Sequence, residues 1–201
     1  MFSGPQIVDT LVRLGITHVV WLPDSTFGEW EEALAGADDL QLIRVCREGE
    51  AWSVAAGLYM GGAQPLVMIQ CTGLFESGDA LRNAIFDYGL PLFAVVGYRS
   101  YLSQDAIPND SARVFTEPIL NAWQLKYRLI DAPDKLVELE TLYKECRRDE
   151  TPGVALIAEG RMYHAAPQLR ILHASTSEKF EIRSTKSETN SNTELQMTET
   201  S

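Results

Sequence analysis

Glu48 is the side chain of this sequence best placed to do chemistry. It stands in Val45-Cys46-Arg47-Glu48-Gly49-Glu50-Ala51-Trp52-Ser53-Val54-Ala55-Ala56-Gly57-Leu58-Tyr59, where an apolar, β-branched run ends in a carboxylate and a helix rich in small residues begins. In an open α/β fold that junction lies at the C-terminal edge of the sheet, where ligands bind. The partial positive charge of a helix N-terminus favours an ionised acid there. An ionised carboxylate at such an edge is suited to acid–base work or to gripping a polar ligand. The small residues Ala51, Ser53, Ala55, Ala56 and Gly57 let the helix approach a neighbour closely. The plainer role for Glu48 is to complement its own helix dipole, and Glu50 is an alternative acid two residues on.

The same edge of a parallel sheet collects the other segments that follow strands. These are Pro23-Asp24-Ser25, Cys71-Thr72-Gly73 and Gly97-Tyr98-Arg99-Ser100. Asp24 and Ser25 are candidates for the substrate side, or they merely lead into a helix, since Thr26 to Glu29 has the Thr-x-x-Glu capping spacing. Thr72 and Gly73 either meet a ligand or make a plain strand-to-helix turn. Arg99 can meet a substrate carboxylate or form a surface ion pair. No catalytic triad, phosphate loop, GxGxxG fingerprint or cluster of metal ligands accompanies them. The four tryptophans read as core or subunit-interface residues.

The elements that position these residues alternate. Helical spacing over Gln6–Leu14 precedes a Gly15 cap, and His18–Leu22 is a strand ending at Pro23. Thr26–Leu34 reads as a helix, Leu40–Val45 as a strand and the segment after Glu48 as a helix. Pro65–Gln70 is a third strand and Asp79–Tyr88 a helix. Pro91–Gly97 is a buried strand, and Thr116–Trp123 a helix with Pro118 in its first turn. Tyr127–Ile130 is a short strand, Pro133–Arg148 a strongly amphipathic helix and Gly153–Ala158 a last strand. Continuous apolar strands interleaved with helices predict an α/β, doubly wound, mainly parallel sheet of about six strands, with helices on both faces.

Bulk properties narrow the function. With 201 residues and 45% hydrophobic content, the chain is long enough for one well-buried core. A domain over residues 1–167 and a polar, disordered tail over 168–201 are expected, because the tail is too poor in apolar residues to offset the entropy of ordering. The net charge of -11 argues against nucleic acid. No apolar run approaches a membrane span, and no signal peptide is evident, so a cytoplasmic protein is expected. Cys46, Cys71 and Cys146 are odd in number and lack metal spacing, which predicts free thiols, with Cys46 and Cys71 buried.

One resemblance joins these observations. Leu22-Pro23-Asp24-Ser25, then Arg47-Glu48 with Ala56-Gly57-Leu58-Tyr59 at the right distance, resembles the pyrimidine-binding (PYR) domain of thiamine-diphosphate enzymes. Glu48 stands nine residues ahead of Gly57, the spacing typical of such domains, although Leu58 intrudes before the tyrosine. Gln70-Cys71-Thr72-Gly73-Leu74 and Gly89-Leu90-Pro91-Leu92 with Gly97-Tyr98-Arg99 are similar to sulfopyruvate decarboxylase α subunits and to the N-terminal halves of phosphonopyruvate decarboxylases. The likeness runs from about Pro5 to Glu159. It implies a PYR-type thiamine-diphosphate-binding fold in which Glu48 hydrogen-bonds N1′ of the cofactor's aminopyrimidine. That bond shifts proton affinity across the ring, and the bound cofactor then serves as electron sink for loss of CO2 from a 2-oxo acid. Thr72 and Gly73 would lie near the pyrimidine.

The resemblance also implies a partner. In this family diphosphate and Mg2+ are held by a second, pyrophosphate-binding (PP) domain that opens on Gly-Asp-Gly, and these 201 residues contain no Gly-Asp-Gly. The expectation is a hetero-oligomer with a separate PP-domain β subunit that holds both groups; this chain itself contributes no metal ligand. The family's Ser-Gly-Leu-Gly-Asn loop reads here Thr72-Gly73-Leu74-Phe75-Glu76, with Asp79 where a second asparagine is expected. Extra acids there would repel a dianionic sulfonate or phosphonate. Two other readings stay open: a catalytically inactive PYR-type binding or regulatory module, and a nucleotide-binding doubly wound domain that lacks the glycine fingerprint.

Overall fold

Alternate side chains along each buried strand point to opposite faces of a sheet, and here both sets are apolar. Val20, Val67, Ile69, Ala94, Val96, Val154 and Leu156 enter one core, and Val19, Trp21, Leu66, Met68, Val95, Ala155 and Ile157 the other. Such a sheet is stable only with helices on both sides. The computed structural model, which describes residues 2–103 and 108–159, has that architecture.

The elements in chain order are α1 (Gly4–Arg13), β1 (His18–Trp21), α2 (Glu31–Ala35), β2 (Gln41–Arg44), α3 (Glu48–Met60), β3 (Pro65–Gln70), α4 (Cys71–Glu76), α5 (Gly78–Arg82), β4 (Phe93–Tyr98), α6 (Ser111–Ala122), β5 (Lys126–Ile130), α7 (Leu136–Asp149) and β6 (Gly153–Ala158). All six strands are parallel, in the order β2-β1-β3-β4-β6-β5. Trp52 of α3, Leu74 of α4, Leu81 of α5 and Leu120 of α6 pack in the first core. Leu11 of α1, Leu34 of α2 and Leu142 of α7 pack in the second. The expected doubly wound fold is the observed one, and none of the described helices is long and apolar enough to cross a membrane. The domain end at 167 and the tail over 168–201 lie outside the described residues.

Several local expectations are corrected. The helix expected over Thr26–Leu34 is a 3-10 turn at Gly28–Trp30 followed by α2. The Thr26/Glu29 capping spacing is not used. Asp24 accepts from the backbone N–H groups of Thr26 and Phe27 (2.6 and 3.0 Å), which ties those residues into a turn ahead of the helix. Helix α4 starts directly on β3, where a loop was expected, and α5 runs into a π turn at Asn83–Asp87. Cys46 is exposed, because β2 ends at Arg44 and the thiol falls in the turn beyond it; Cys71 and Cys146 are buried.

Helix α6 begins five residues earlier than expected, at Ser111, with Asp110 capping it through Ala112 N–H at 3.0 Å. Pro118 therefore lies inside the helix rather than in its first turn, and it is exposed. A proline there removes one helical hydrogen bond and crowds the preceding turn. Pro118→Ala is expected to raise stability by about 1 kcal/mol, the helix gain exceeding the added freedom of the unfolded chain. Urea denaturation checks this; a lower midpoint would show that the ring's own packing outweighs the restored bond.

Candidate active-site edge

The strand order reverses at β1. From β1 the chain crosses to β2 on one side, then returns to form β3 on the other. The segments that follow β1 and β3 therefore diverge at their C-terminal ends and leave a crevice, the position where doubly wound folds bind ligands. Asp24, Ser25 and Thr26 lie on one lip, and Gln70, Thr72 and Gly73 on the other. Glu48, at the first turn of α3, reaches the same place.

Glu48 rests on Gly73. A Cβ at position 73 would stand 2.3 Å from Glu48 Cγ and 2.6 Å from its Oε1, so only glycine admits this carboxylate. Glu48 is half-buried and makes no hydrogen bond or ion pair among the described residues. The alternative acid is committed elsewhere: Glu50 Oε2 accepts from Cys46 N–H at 3.0 Å, a backward cap on its own helix. Arg47 is extended and gives α3 no side-chain cap. Glu76 supplies one from α4, accepting from Gly49 N–H at 3.0 Å and from Arg47 Nε and Nη2 at 3.1 and 2.5 Å. The Arg47 guanidinium, together with the Gly49 amide, holds the Glu76 carboxyl below the usual carboxylate range. Beneath this clamp the Trp52 indole donates to Ser77 Oγ at 3.0 Å, which in turn donates to Leu74 O at 3.2 Å.

The two acids expected to repel a dianionic substrate each have a cation. Glu76 pairs with Arg47, and Asp79 with Arg82 at 2.9 Å. Asp24, a substrate-side candidate, has both oxygens engaged: Oδ1 takes the Thr26 and Phe27 amides and Oδ2 the Trp21 indole at 3.3 Å. Burial pushes its pKa up against those bonds. Arg99 lies 3.6 Å from Asp110, the ion-pair alternative. Ser25 and Thr72 meet at Gln70, whose Nε2 donates to Ser25 Oγ (3.3 Å) and Thr26 Oγ1 (2.7 Å) and whose Oε1 accepts from Thr72 Oγ1 at 3.4 Å. Sequence reasoning missed Gln70 and Thr26 as links across the crevice and Glu76 as the cap of α3. Only Glu76 carried a signal, as a departure from the family loop.

The Glu48–Gly73 contact suits an aminopyrimidine. Gly73 leaves room for the Glu48 side chain, and a carboxyl with no partner among the described residues can share a proton with a ring nitrogen. Among the described residues no group of three or more His, Cys, Asp or Glu could hold a metal.

Fold and crevice together define a doubly wound α/β domain whose candidate ligand edge carries the Glu48 carboxylate, unpaired among the described residues. The family model for the thiamine pyrophosphate enzyme N-terminal TPP binding domain matches residues 3–123, and the chain belongs to that family. It is 23% identical over 139 residues to the sulfopyruvate decarboxylase subunit alpha of Methanococcus maripaludis, covering 69% of this chain and 83% of that one. It is 26% identical to the sulfopyruvate decarboxylase of Methanosarcina acetivorans (76% of this chain, 39% of that one) and to the phosphonopyruvate decarboxylase of Streptomyces viridochromogenes (80% and 41%). This chain thus spans about two fifths of the latter two. Among solved structures, benzoylformate decarboxylase from Polynucleobacter necessarius shares the fold at a TM-score of 0.59 and 18% identity, over 79% of this chain and 30% of that one.

Two outcomes test this geometry. Gly73→Ala is expected to keep or raise the melting temperature, since alanine favours a helix by up to about 1 kcal/mol, while it shifts the Glu48 carboxyl 13C resonance. An unmoved resonance in a folded variant would show that the contact is absent in solution. Glu76→Gln is expected to lower stability modestly, because the clamp is partly exposed. A depressed carboxyl stabilises above its unfolded pKa of 4.5, and that contribution disappears as pH falls through the lower folded value. The gap between wild type and variant should accordingly close on acidification below 4.5; a gap constant with pH would place the effect elsewhere.

Proposed function

We propose that this chain is the α (PYR) subunit of a heteromeric thiamine-diphosphate-dependent decarboxylase of a small 2-oxo acid, of the sulfopyruvate or phosphonopyruvate kind. The observation that carries the reading is the Glu48 carboxylate, uncommitted and laid on Gly73 at the reversal of strand order. When bound, thiamine diphosphate supplies the electron sink for loss of CO2. Glu48 holds a proton at the aminopyrimidine's N1′ through a charge-assisted hydrogen bond, and the buried Gly73 floor keeps water from its inner side. Thr72 and Gly73 border the pyrimidine. Ser25, and Arg99 once drawn from Asp110, are the groups left to meet the substrate's carboxylate; Asp24 supports that lip from below.

A separate PP-domain β subunit holds the diphosphate and Mg2+ in this reading. Two facts support it. The likeness to a protein named as an alpha subunit extends over 83% of that protein's length. This chain's net charge of -11, with no metal-binding cluster among the described residues, suits it poorly to an anionic diphosphate of its own. The three free cysteines fit a reducing cytoplasm. Since Glu76 and Asp79 are paired with arginines, a dianionic substrate meets less repulsion than their sequence positions imply.

Co-purification with a PP-domain subunit, followed by CO2 release from a panel of 2-oxo acids with thiamine diphosphate and Mg2+, tests this directly. Glu48→Gln should reduce kcat by about 100-fold or more, the usual weight of a proton-handling side chain. Its fold should be unaffected, because Glu48 makes no hydrogen bond or ion pair among the described residues. Full turnover by Glu48→Gln would sink the mechanism. An inert wild-type pair would favour a binding or regulatory module, and tight cofactor binding by this chain alone would defeat the split site.

A further inference from the structure

Behind the crevice lies a buried carboxyl that the reading above leaves unused. Glu159 directly follows β6, and its backbone is pinned on both sides: its N–H donates to Tyr98 O at 3.1 Å, and its carbonyl accepts from Leu102 N–H at 3.2 Å. It is 4% exposed. One oxygen, Oε1, accepts from Thr26 Oγ1 at 3.2 Å, while Oε2 is buried and has no hydrogen-bond partner among the described residues. Fold stability alone does not account for such a group, because an isolated buried carboxylate oxygen is costly. Strain collects at the same spot. Ser100, buried beside it, has φ +58°, and Gly97 is compelled to be glycine by Thr26, whose Cγ2 would stand 2.7 Å from a Cβ there.

The hydrogen bonds form a line from this carboxyl to both lips. Thr26 Oγ1 has one hydrogen and receives the Gln70 Nε2 donor at 2.7 Å, so with Glu159 ionised its own hydrogen must go to Glu159. A reversed Gln70 amide would need that single hydrogen twice. With Glu159 ionised the polarity is thus set from the buried end: Gln70 donates toward Thr26 and Ser25 and accepts from Thr72.

We propose that Glu159 is a positioning residue which, through the Thr26 hydroxyl, sets the direction of the Gln70 amide and with it the hydrogen-bond pattern that Ser25 and Thr72 present to a 2-oxo acid. This rests on the PYR-type reading of the crevice. The charged groups that bear on Glu159 are Arg99, which favours its ionised form, and Asp24, which opposes it; the Ser100 amide also favours ionisation. Burial outweighs these and raises its pKa. Ionisation of Glu159 thus costs stability, and the loss grows as pH rises from 4.5 toward the raised value.

The test uses the full chain, Glu159→Leu and Thr26→Val. Removing a buried, half-satisfied carboxylate should leave Glu159→Leu at least as stable as wild type at pH 7, which a structural role would not permit. Both variants should shift the Gln70 side-chain 15N–1H resonances and speed their exchange with solvent. In the complex with a PP-domain subunit, both should raise KM for the 2-oxo acid about tenfold, the weight of one hydrogen bond, with kcat and thiamine-diphosphate affinity nearly unchanged. Glu159→Gln, which keeps an acceptor for Thr26, should restore KM. Unmoved Gln70 resonances in both variants would overturn the relay, as would marked destabilisation of Glu159→Leu. If the resonances shift while the wild-type complex turns over no 2-oxo acid, the decarboxylase reading fails, and the relay's service to substrate fails with it.

Discussion

Parallel pairing of β1 with β2 on one edge and β3 on the other is the constraint on which the site depends. It forces the chain to reverse direction across the sheet, and the reversal leaves a gap at the strand ends. The crevice residues reach that gap from strand ends, Ser25 and Thr26 from β1, Glu48 from the junction after β2 and Gln70 and Gly73 from β3, with Glu159 behind them at the end of β6. The pairing is in turn held by two layers of apolar side chains. Because neither sheet face tolerates water, a register slip would bury polar residues at the edges, and the alternation in β3, β4 and β6 fixes the strands against it. Precision at the crevice is thus bought by packing well away from it.

Helix α3 shows how that precision passes to one side chain. Its N-cap residue, Arg47, makes no side-chain cap bond, and a helix start left so frays. Glu76 closes it from α4, Glu50 from within, and the Trp52–Ser77–Leu74 bonds tie α3 to the α4–α5 corner one turn below. Helix α3 also packs close to α5, where a Cβ on Gly49 would stand 3.5 Å from Ala80 Cβ. Four independent ties therefore fix the backbone of Glu48 while its carboxylate remains free. A side chain that must be rigid in place and unsatisfied in bonding has to be held from behind in this way.

Strand positions were legible in the sequence because they are continuous apolar runs; Pro65–Gln70 and Gly153–Ala158 coincide with their expectations. Glu48 was legible because an acid ending such a run is a local anomaly, and Gly73 because it lay in a recognisable loop. The 3-10 turn before α2 was not, since Asp24 overrides the capping spacing of Thr26 and Glu29 through bonds that periodicity does not reveal. Helix α4 was missed because Cys71 to Glu76 has glycine, threonine and phenylalanine, poor helix formers that tertiary contacts overrule. The links across the crevice were invisible for a different reason. Glu159, Thr26 and Gln70 are far apart in the chain, and nothing local marks any of them.

The distribution of carboxylates explains why two of them stand out. A chain with net charge -11 must commit its acids or suffer repulsion near any anionic ligand. Around this edge most are committed. Asp24 binds backbone amides and an indole, Glu50 and Glu76 cap α3, Asp79 and Asp87 share Arg82, and Asp110 caps α6 beside Arg99. Glu117 takes the hydroxyls of Tyr98 and Tyr127. Against that background the open carboxylate of Glu48 and the half-used one of Glu159 are exceptions of opposite kinds. Glu48 is half-exposed and can wait for a ligand at little cost, since water satisfies it meanwhile. Glu159 cannot, because burial denies it water, and this is the ground for proposing that it does its task from inside the fold. In the proposed function the two differ as a group that touches the ligand differs from a group that arranges what the ligand touches.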